Sequence, residues 1–204
     1  GFFLSESKAG ERLVRFFQAL LGWFPGGLAV MAVVVCAFFT TFTGASGVTI
    51  LALGGLLAVI LGKAGYPKSF RVGILTASGS IGLLFPPSLP VIIYGVTAQT
   101  SIKDMFVGGL LPGVFMVAAV VTVGIVYSRK RGLPRHPLKV REAAKAFGES
   151  IWELLLPLLV FGLFFGGIVS LQESAAAALL YVWIVETFVK KDMKVRDLPR
   201  ILLR

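Results

Sequence analysis

The chain has 204 residues, of which 56% are hydrophobic and 15% are charged, and its mean hydropathy is +0.88. Soluble domains carry about 25% charged residues, so this composition excludes a water-soluble protein and predicts an integral membrane protein. The net charge of +10 would by itself suit a nucleic-acid partner. However, the basic residues fall in clusters between apolar segments, which is the positive-inside pattern of membrane proteins, and we expect no nucleic-acid binding.

The chain opens on Gly1 rather than on methionine, and we expect a piece of a longer protein. Residues 5–24 predict an amphipathic helix, because apolar residues recur in them at helical spacing. The charged residues of this helix are Lys8, Glu11, Arg12 and Arg15. Such a helix is too polar to span a bilayer. We expect it to lie along the interface, with aromatic residues toward lipid or a neighbouring helix and arginines toward headgroups.

Residues 25–64 hold two apolar limbs that are separated by Gly44-Ala45-Ser46-Gly47. One continuous helix from Pro25 to Gly62 would measure about 57 Å, nearly twice the bilayer core of about 30 Å. Basic residues precede the first limb and follow the second, so both open ends belong on one side of the membrane. The pattern favours a re-entrant hairpin whose tip lies near mid-membrane. Two closely packed short spans with a glycine contact are the alternative.

Residues 68–98 predict a transmembrane helix that is broken between Gly79 and Ser88. Serines, glycines and the tandem Pro86-Pro87 interrupt the apolar sequence there. Prolines lack an N–H, so carbonyls of the preceding turn lose their donors. In lipid such groups need protein partners, a wet cavity or a bound solute. Secondary transporters build ion and substrate sites from broken helices of this kind, which makes the break a candidate functional segment.

The second half of the chain predicts three further spans and a basic loop. The expected elements are a spanning helix at 105–128, a cytoplasmic loop at 129–148, spanning helices at 149–170 and 174–189, and an interfacial helix at 195–204. Under this threading every lysine and arginine except Lys103 lies on the cytoplasmic side. The whole pattern predicts an all-α integral membrane fold.

Four glutamates lie in or beside the apolar spans, where carboxylates often mark ion pathways. Glu149, Glu153 and Glu186 fall in terminal turns of predicted helices and can reach headgroup depth, so we interpret them as structural. Glu173 opens a helix after an external turn, where helix capping and ligand contact are both open interpretations. One histidine, one cysteine and no nucleotide-binding loop argue against an enzyme.

Two long motifs resemble the large, DctM-like membrane subunit of tripartite ATP-independent periplasmic (TRAP) transporters: FTGASGVTILALGG at 42–55 and TASGSIGLLFPPSLPVIIYG at 76–95. MFVGGLLPG at 105–113 and GIVSLQESAAAALLY at 167–181 are similar to the same family, although the residues before Glu173 depart from its usual Thr-Pro-Thr. The resemblance implies an ion-transporter fold of two inverted repeats, each with a hairpin and a broken helix. This fragment would hold the first pair and the start of the second repeat.

The resemblance also implies the site residues. Sodium would bind between the hairpin tip and the break, at Thr43, Gly44, Ala45, Ser46 and Gly47 of the tip and at Ser78, Gly79, Gly82 and Pro86 of the break. The substrate would contact Ser46, Ser80, Pro87 and Ser88. Hydroxyls and unpaired carbonyls suit a small hard cation, and they avoid burying a carboxylate.

The function implied by the resemblance is sodium-coupled uptake of an organic acid across the bacterial inner membrane, with alternating access of an elevator or rocking type. The implied partners are a small four-helix membrane subunit, a periplasmic substrate-binding protein, membrane lipid and the organic acid. Sodium is the coupling ion, and no other cofactor is expected. The alternatives are a sodium–dicarboxylate symporter that works without a binding protein, and a non-transporting membrane subunit or channel.

Overall fold

The computed structural model describes residues 7–135 and 140–192, and every regular element in those ranges is helical. The helices are α1 (Ala9–Leu21), α2 (Gly27–Thr43), α3 (Ser46–Lys63), α4 (Lys68–Ile81), α5 (Leu89–Thr97), α6 (Ile102–Arg131), α7 (Val140–Phe165) and α8 (Leu171–Ile184). Helices α3, α6 and α7 are long and apolar enough to cross a membrane, and α4 with α5 makes a fourth candidate span, bent by 43°. The prediction of an all-α, multi-pass membrane protein is confirmed.

Helix α1 is shorter than the predicted 5–24, and it packs against α2 and α7. Its apolar side faces inward through Ala9 and Leu13, which are 0% and 1% exposed. Arg12 is also buried, at 7% exposure, whereas 58% of the Arg15 side chain is exposed. The expectation that the arginines face headgroups is therefore wrong for Arg12. The reason is that three carboxylates of other segments lie within hydrogen-bonding reach of its guanidinium.

Helices α2 and α3 form a hairpin whose open ends lie together. The hydroxyl of Tyr66, just after α3, is hydrogen-bonded to Ser128 of α6. Gly26, just before α2, lies so close to α6 that a Cβ there would be 2.8 Å from the Cα of Ile125. Both open ends therefore meet the end of α6 that carries Arg131. This is one side of the molecule, as the charge pattern indicates, while the depth of the tip in the bilayer stays a prediction.

The break between α4 and α5 packs directly on α2. A 3₁₀ turn at Gly82–Leu84 and an extended Phe85 separate the two helices. The Thr41 hydroxyl donates a hydrogen bond to the Gly82 carbonyl at 3.2 Å, and a Cβ on Gly82 would lie 2.4 Å from the Ala37 carbonyl oxygen. Protein groups of α2 thus satisfy part of the backbone that the break frees, which an apolar solvent requires.

The last helices begin earlier than expected. Helix α7 starts at Val140, inside the segment predicted as a basic loop at 129–148, and α8 starts at Leu171. The first turns of α7 are charged but helical, and Lys145 is exposed on them. Lysine, arginine, glutamate and alanine are good helix formers, so the helix extends beyond its apolar part. The predicted interfacial helix at 195–204 lies outside the described residues.

The helices fall into two groups by their packing. Helices α2 to α6 pack on one another, whereas α8 packs on α7 and α7 packs on α1. Helix α8 continues as a π-helical turn at Val185–Val189. Among the described elements, α1 alone packs extensively on both groups, and direct contacts between the groups, such as the Phe106–Phe164 ring pair at 6.2 Å, are few.

We expect Gly82→Ala to lower the midpoint of thermal unfolding of the detergent-solubilised full-length protein. The added methyl group would overlap α2, and such overpacking costs about 1–3 kcal/mol. Gly73→Ala is the matched control, because Gly73 lies on α4 before the break and a Cβ there would have no neighbouring atom within 4 Å; alanine there favours the helix. Equal midpoints for the two variants would contradict the close contact between the break and α2.

Candidate functional site

The structure brings the hairpin tip and the helix break together. Gly44 at the tip packs on the start of α5, since a Cβ on Gly44 would lie 2.9 Å from the Cβ of Leu89. A Cβ on Gly79 of α4 would lie 3.7 Å from the Ser46 carbonyl oxygen. The tip therefore contacts the helices on both sides of the break. Gly44 has a φ of +67°, a conformation in which glycine is strongly favoured, and this residue lets the chain reverse.

Four threonines in the limbs beside the tip supply hydroxyl groups to this region. Thr40 donates a hydrogen bond to Thr49 at 2.7 Å, and the hydroxyl of Thr43 lies 3.1 Å from that of Thr49. The Thr43 hydroxyl is also 3.3 Å from the Ala45 carbonyl oxygen. These bonds tie the end of α2 to the first turn of α3. Sequence reasoning missed Thr40, Thr41 and Thr49, although hydroxyls in otherwise apolar limbs were a signal available for them.

The predicted residues of the tip differ in exposure. Thr43, Gly44, Ala45 and Ser46 are half-buried, whereas Gly47 is exposed with open space around it. The oxygens gathered near the Thr43 hydroxyl are the Thr49 hydroxyl and the carbonyls of Thr40 and Ala45. Hard cations prefer such ligands, so this donor set fits a monovalent cation without any carboxylate. No group of three or more His, Cys, Asp or Glu residues that could hold a metal occurs in 7–135 or 140–192.

The predicted residues of the break also divide. Ser78, Gly79, Gly82, Pro86 and Ser88 are buried, Pro87 is half-buried, and Ser80 is exposed. The hydroxyls of Ser78 and Ser80 donate to the carbonyls of Ile74 and Thr76 within α4. The buried hydroxyl of Ser88, by contrast, has no hydrogen-bond partner. Burying such a group without a partner is costly, which makes Ser88 the predicted residue most available to a ligand.

A cavity of about 380 Å³ separates the tip and the break from α7 and α8. Thr43, Gly44 and Pro87 line it on one side, and apolar residues of α7 and α8 line the other, together with Ser174. The Ser174 hydroxyl is buried and unpartnered. Among the described residues, no charged side chain lines this cavity. A carboxylate would therefore be expensive to hold there without a bound cation or backbone N–H groups.

Arg12 forms a buried ion cluster away from the tip. Its guanidinium donates to Glu153 of α7, to both carboxylate oxygens of Glu186 at 3.0 Å, and to Asp192. Burial alone lowers the pKa of Arg12, but the hydrogen bond to Asp192 and the charges of Glu153 and Glu186 outweigh it and raise the pKa above its ordinary value. Glu153 and Glu186 are 4% and 1% exposed and their carboxylates contact Arg12, whereas their depth in the bilayer stays a prediction.

Glu173 caps its helix. The Ser170 N–H donates to the Glu173 carboxylate at 2.7 Å, and the Glu173 N–H lies 3.3 Å from the Ser170 hydroxyl oxygen. This reciprocal pair is a capping box, and the bond from the Ser170 backbone lowers the pKa of Glu173. Of the two open interpretations, capping is the one with direct structural contacts.

Comparison with known proteins gives consistent matches along the chain. A family model described as "Tripartite ATP-independent periplasmic transporter, DctM component" matches residues 1–204. The C4-dicarboxylate TRAP transporter large permease protein DctM of Vibrio cholerae is 35% identical over 192 residues, covering 94% of this chain and 42% of the relative. The ectoine TRAP transporter large permease protein TeaC of Halomonas elongata is 33% identical, covering 97% and 47%.

The sialic acid TRAP transporter permease protein SiaT of Haemophilus influenzae is 35% identical over 199 residues, covering 97% of this chain and 32% of the relative. The chain thus spans about half the length, or less, of the curated relatives that it matches. The names of these relatives refer to different solutes.

We expect the buried hydroxyls of Thr40 and Thr49 to act as a coupled pair. Thr49→Val should lower the free energy of unfolding by about 1–3 kcal/mol, because it leaves the Thr40 hydroxyl unpaired. The double variant Thr40→Val/Thr49→Val should cost less than the sum of the single changes. A double-mutant cycle measured by chemical unfolding of the full-length protein tests this. Strictly additive changes would show that the two hydroxyls do not interact.

Proposed function

The chain belongs to the family of the DctM component of TRAP transporters, and from this membership we propose that it is part of a large permease subunit. In this proposal the subunit takes up an organic acid across the bacterial inner membrane, and a sodium gradient drives the uptake. In this proposal a periplasmic binding protein delivers the substrate, and a small four-helix membrane subunit completes the transporter. The described residues offer no constellation that favours an enzyme over a permease.

The observation that carries the proposal is the contact between the hairpin tip and the helix break. Hydroxyl and carbonyl oxygens meet there inside an apolar protein, and carboxylates are absent from the described part of the contact. Sodium can shed water for such oxygens, because they replace its hydration at little electrostatic cost. The proposed sodium ligands come from Thr43, Gly44, Ala45, Ser46 and Gly47 and from Ser78, Gly79, Gly82 and Pro86.

The organic acid would bind next to the sodium ion. Helix α5 begins after Ser88 and α3 begins after Ala45, and neither start has a side-chain cap. Uncapped N–H groups and the positive end of a helix dipole attract anions. We assign contact with the carboxylate to Ser46, Ser80, Pro87 and Ser88, and the unpartnered hydroxyl of Ser88 is the strongest of these candidates. Ser80 is exposed, so in this proposal it would contact the substrate on the outer surface of α4.

Coupling follows from electrostatics in this proposal. A carboxylate without a counter-charge is costly in the uncharged cavity beside the tip, so the organic acid binds well only after sodium has bound. The hairpin and the broken helix would then carry both solutes as one body, because α2 to α6 pack on one another. Helices α1, α7 and α8 would serve as the frame against which that body moves.

The test is uptake by the full-length protein with its partners in liposomes. A panel of C4-dicarboxylates, sialic acid and ectoine should be offered with an inward sodium gradient and with that gradient collapsed. We expect gradient-dependent uptake of an organic acid, and we expect Ser46→Ala or Ser88→Ala to raise the half-saturating sodium or substrate concentration about tenfold, which corresponds to about 1.4 kcal/mol. Ser69→Ala, at an exposed serine of α4, is the matched control and should leave uptake unchanged.

Three outcomes would count against the proposal or its parts. Sodium-independent uptake would exclude sodium as the coupling ion. Uptake without the binding protein would favour a symporter of the sodium–dicarboxylate type, and gradient-independent leakage would favour a channel. If sodium-driven uptake survives Ser46→Ala and Ser88→Ala unchanged, the residue assignments at the tip and the break are wrong.

A further inference from the structure

We propose that Arg12 is the positioning residue that clamps α1, α7 and the end of α8 into one rigid unit, which stays fixed while the hairpin and the broken helix move. The inference rests on the proposed function, because it assigns a residue to the fixed part of a moving transporter. Arg12 does not touch the tip or the break, so any effect on transport would act through the position of α1.

The geometry of the cluster is that of a clamp between three segments. The guanidinium of Arg12 lies on α1, and its Nε donates to Glu153 in the middle of α7. One terminal nitrogen donates to both oxygens of Glu186 at 3.0 Å, and the other donates to Asp192 beyond the π-helical turn. All three nitrogens are therefore used, each on a different carboxylate. A planar guanidinium presents its donors in a fixed fork, so these bonds set orientation as well as distance.

Burial makes the clamp stiff. Side-chain exposure is 7% for Arg12, 2% for Glu153 and 1% for Glu186. Water cannot replace a lost partner at such positions, and removing one member of a buried ion pair is far more damaging than weakening an exposed one. A displacement of α1 along α7 would break several of these bonds together. The network therefore resists sliding between the segments that it joins.

Further contacts join α1, α7 and the segment after α8 at other positions along these helices. The exposed Arg15 lies 3.6 Å from Glu149 of α7, and Lys190 donates from its Nζ to the Glu149 carbonyl. The rings of Phe16 and Phe147 lie 5.7 Å apart. The α1–α7 contact thus combines ionic and aromatic contacts over about one helical turn of α1, and Lys190 ties α7 to the segment after α8.

The surface between the hairpin and helices α7 and α8 has the opposite character, although α1 itself packs closely on α2. The cavity of about 380 Å³ lies there, and the unpartnered hydroxyl of Ser174 faces it. Within the described residues, the ion pairs of Glu149, Glu153, Glu186 and Asp192 all run to α1 and none runs to α2–α6. Loose apolar packing permits relative motion, whereas a buried ionic seam does not.

The junction of α1 and α2 is the place where such motion can be absorbed. Only residues 22–26 separate the two helices, and Gly26 has a φ of +86°. Hinges are a few residues at element ends that take up large changes in φ and ψ. With α1 clamped by Arg12 on one side of this junction and α2 packed into the moving body on the other, we place the hinge at 22–26.

Distance measurements between spin labels on the full-length protein test the clamp without relying on transport. In a Cys36→Ala background, one pair of labels at Glu11→Cys and Lys145→Cys spans α1 and α7. A second pair at Glu11→Cys and Leu51→Cys spans α1 and the hairpin limb α3, at a residue that is not among the proposed ligands. All three labelled positions are exposed. We expect the first distance to be single and unchanged on addition of sodium and substrate, and the second to shift. A first distance that shifts as much as the second would overturn the inference.

Variants then assign the clamp to Arg12. We expect Arg12→Gln to broaden the first distance distribution and to lower maximal uptake about tenfold per folded transporter, while the half-saturating sodium concentration stays unchanged, because the ion ligands are intact. The matched control Arg15→Gln removes an exposed pair on the same helix, and uptake should stay within about twofold. A narrow distribution and full uptake in Arg12→Gln would also overturn the inference.

A second variant guards against simple misfolding. Arg12→Gln leaves buried carboxylates unpaired, whereas Arg12→Gln/Glu153→Gln/Glu186→Gln also replaces the carboxylates of Glu153 and Glu186 by amides of nearly the same size, and it should fold. We expect it to show the broadened first distance and the reduced maximal uptake. If it folds with a narrow distance and normal uptake, Arg12 has no positioning role. Wild-type liposomes without sodium-driven uptake would instead overturn the proposed function, a result that the distance measurement separates from failure of the clamp.

Discussion

The structure depends on how one buried charge is neutralised. Arg12 lies inside the protein on a helix that is otherwise amphipathic, and an unpaired guanidinium there would be untenable. Three carboxylates from the middle of α7, from the π-helical turn after α8 and from the residue Asp192 beyond it surround it. The positions of these segments follow from that requirement, because each must bring its carboxylate to the same guanidinium. The second half of the chain is thereby positioned against α1, a helix near the start of the chain.

A second constraint acts at the break between α4 and α5, where backbone groups are freed in an apolar medium. The prolines and glycines of the break free carbonyls and N–H groups that lipid cannot satisfy. Helix α2 of the hairpin packs on the break and satisfies part of these groups, because the Thr41 hydroxyl donates a hydrogen bond to the Gly82 carbonyl. The remaining unpartnered groups, such as the Ser88 hydroxyl, are then concentrated at the contact. In the proposed function these are the groups that a sodium ion and a carboxylate would complete.

The two constraints lead to different kinds of contact in different parts of the molecule. Charged groups bind α1 firmly to α7, whereas the hairpin meets α7 and α8 across a cavity lined by apolar residues. In the proposed alternating access, the first kind of contact would hold the frame and the second would let the hairpin move against α7 and α8. The relatives in this family are permeases named for different solutes, and each is about twice the length of this chain or more.

Much of this fold is encoded locally. Apolar runs, the tandem prolines and the clustered basic residues were enough to predict an all-α membrane protein, a hairpin with both ends on one side, and a helix broken before Ser88. The reason is that unpaired backbone groups and charges inside lipid carry a high free-energy cost. Helix limits were less predictable, because the charged start of α7 is as compatible with helix as with loop. The tertiary structure alone decided that Arg12 turns inward, that Glu153 and Glu186 are its partners, and that Thr40, Thr41 and Thr49 join the tip. The physical reason is that an amphipathic pattern shows which residues share a face, whereas the partner of a buried charge or hydroxyl is chosen by how other helices pack. For Arg12 those helices are more than a hundred residues away, and for Thr49 the partner lies on the opposite limb of the hairpin.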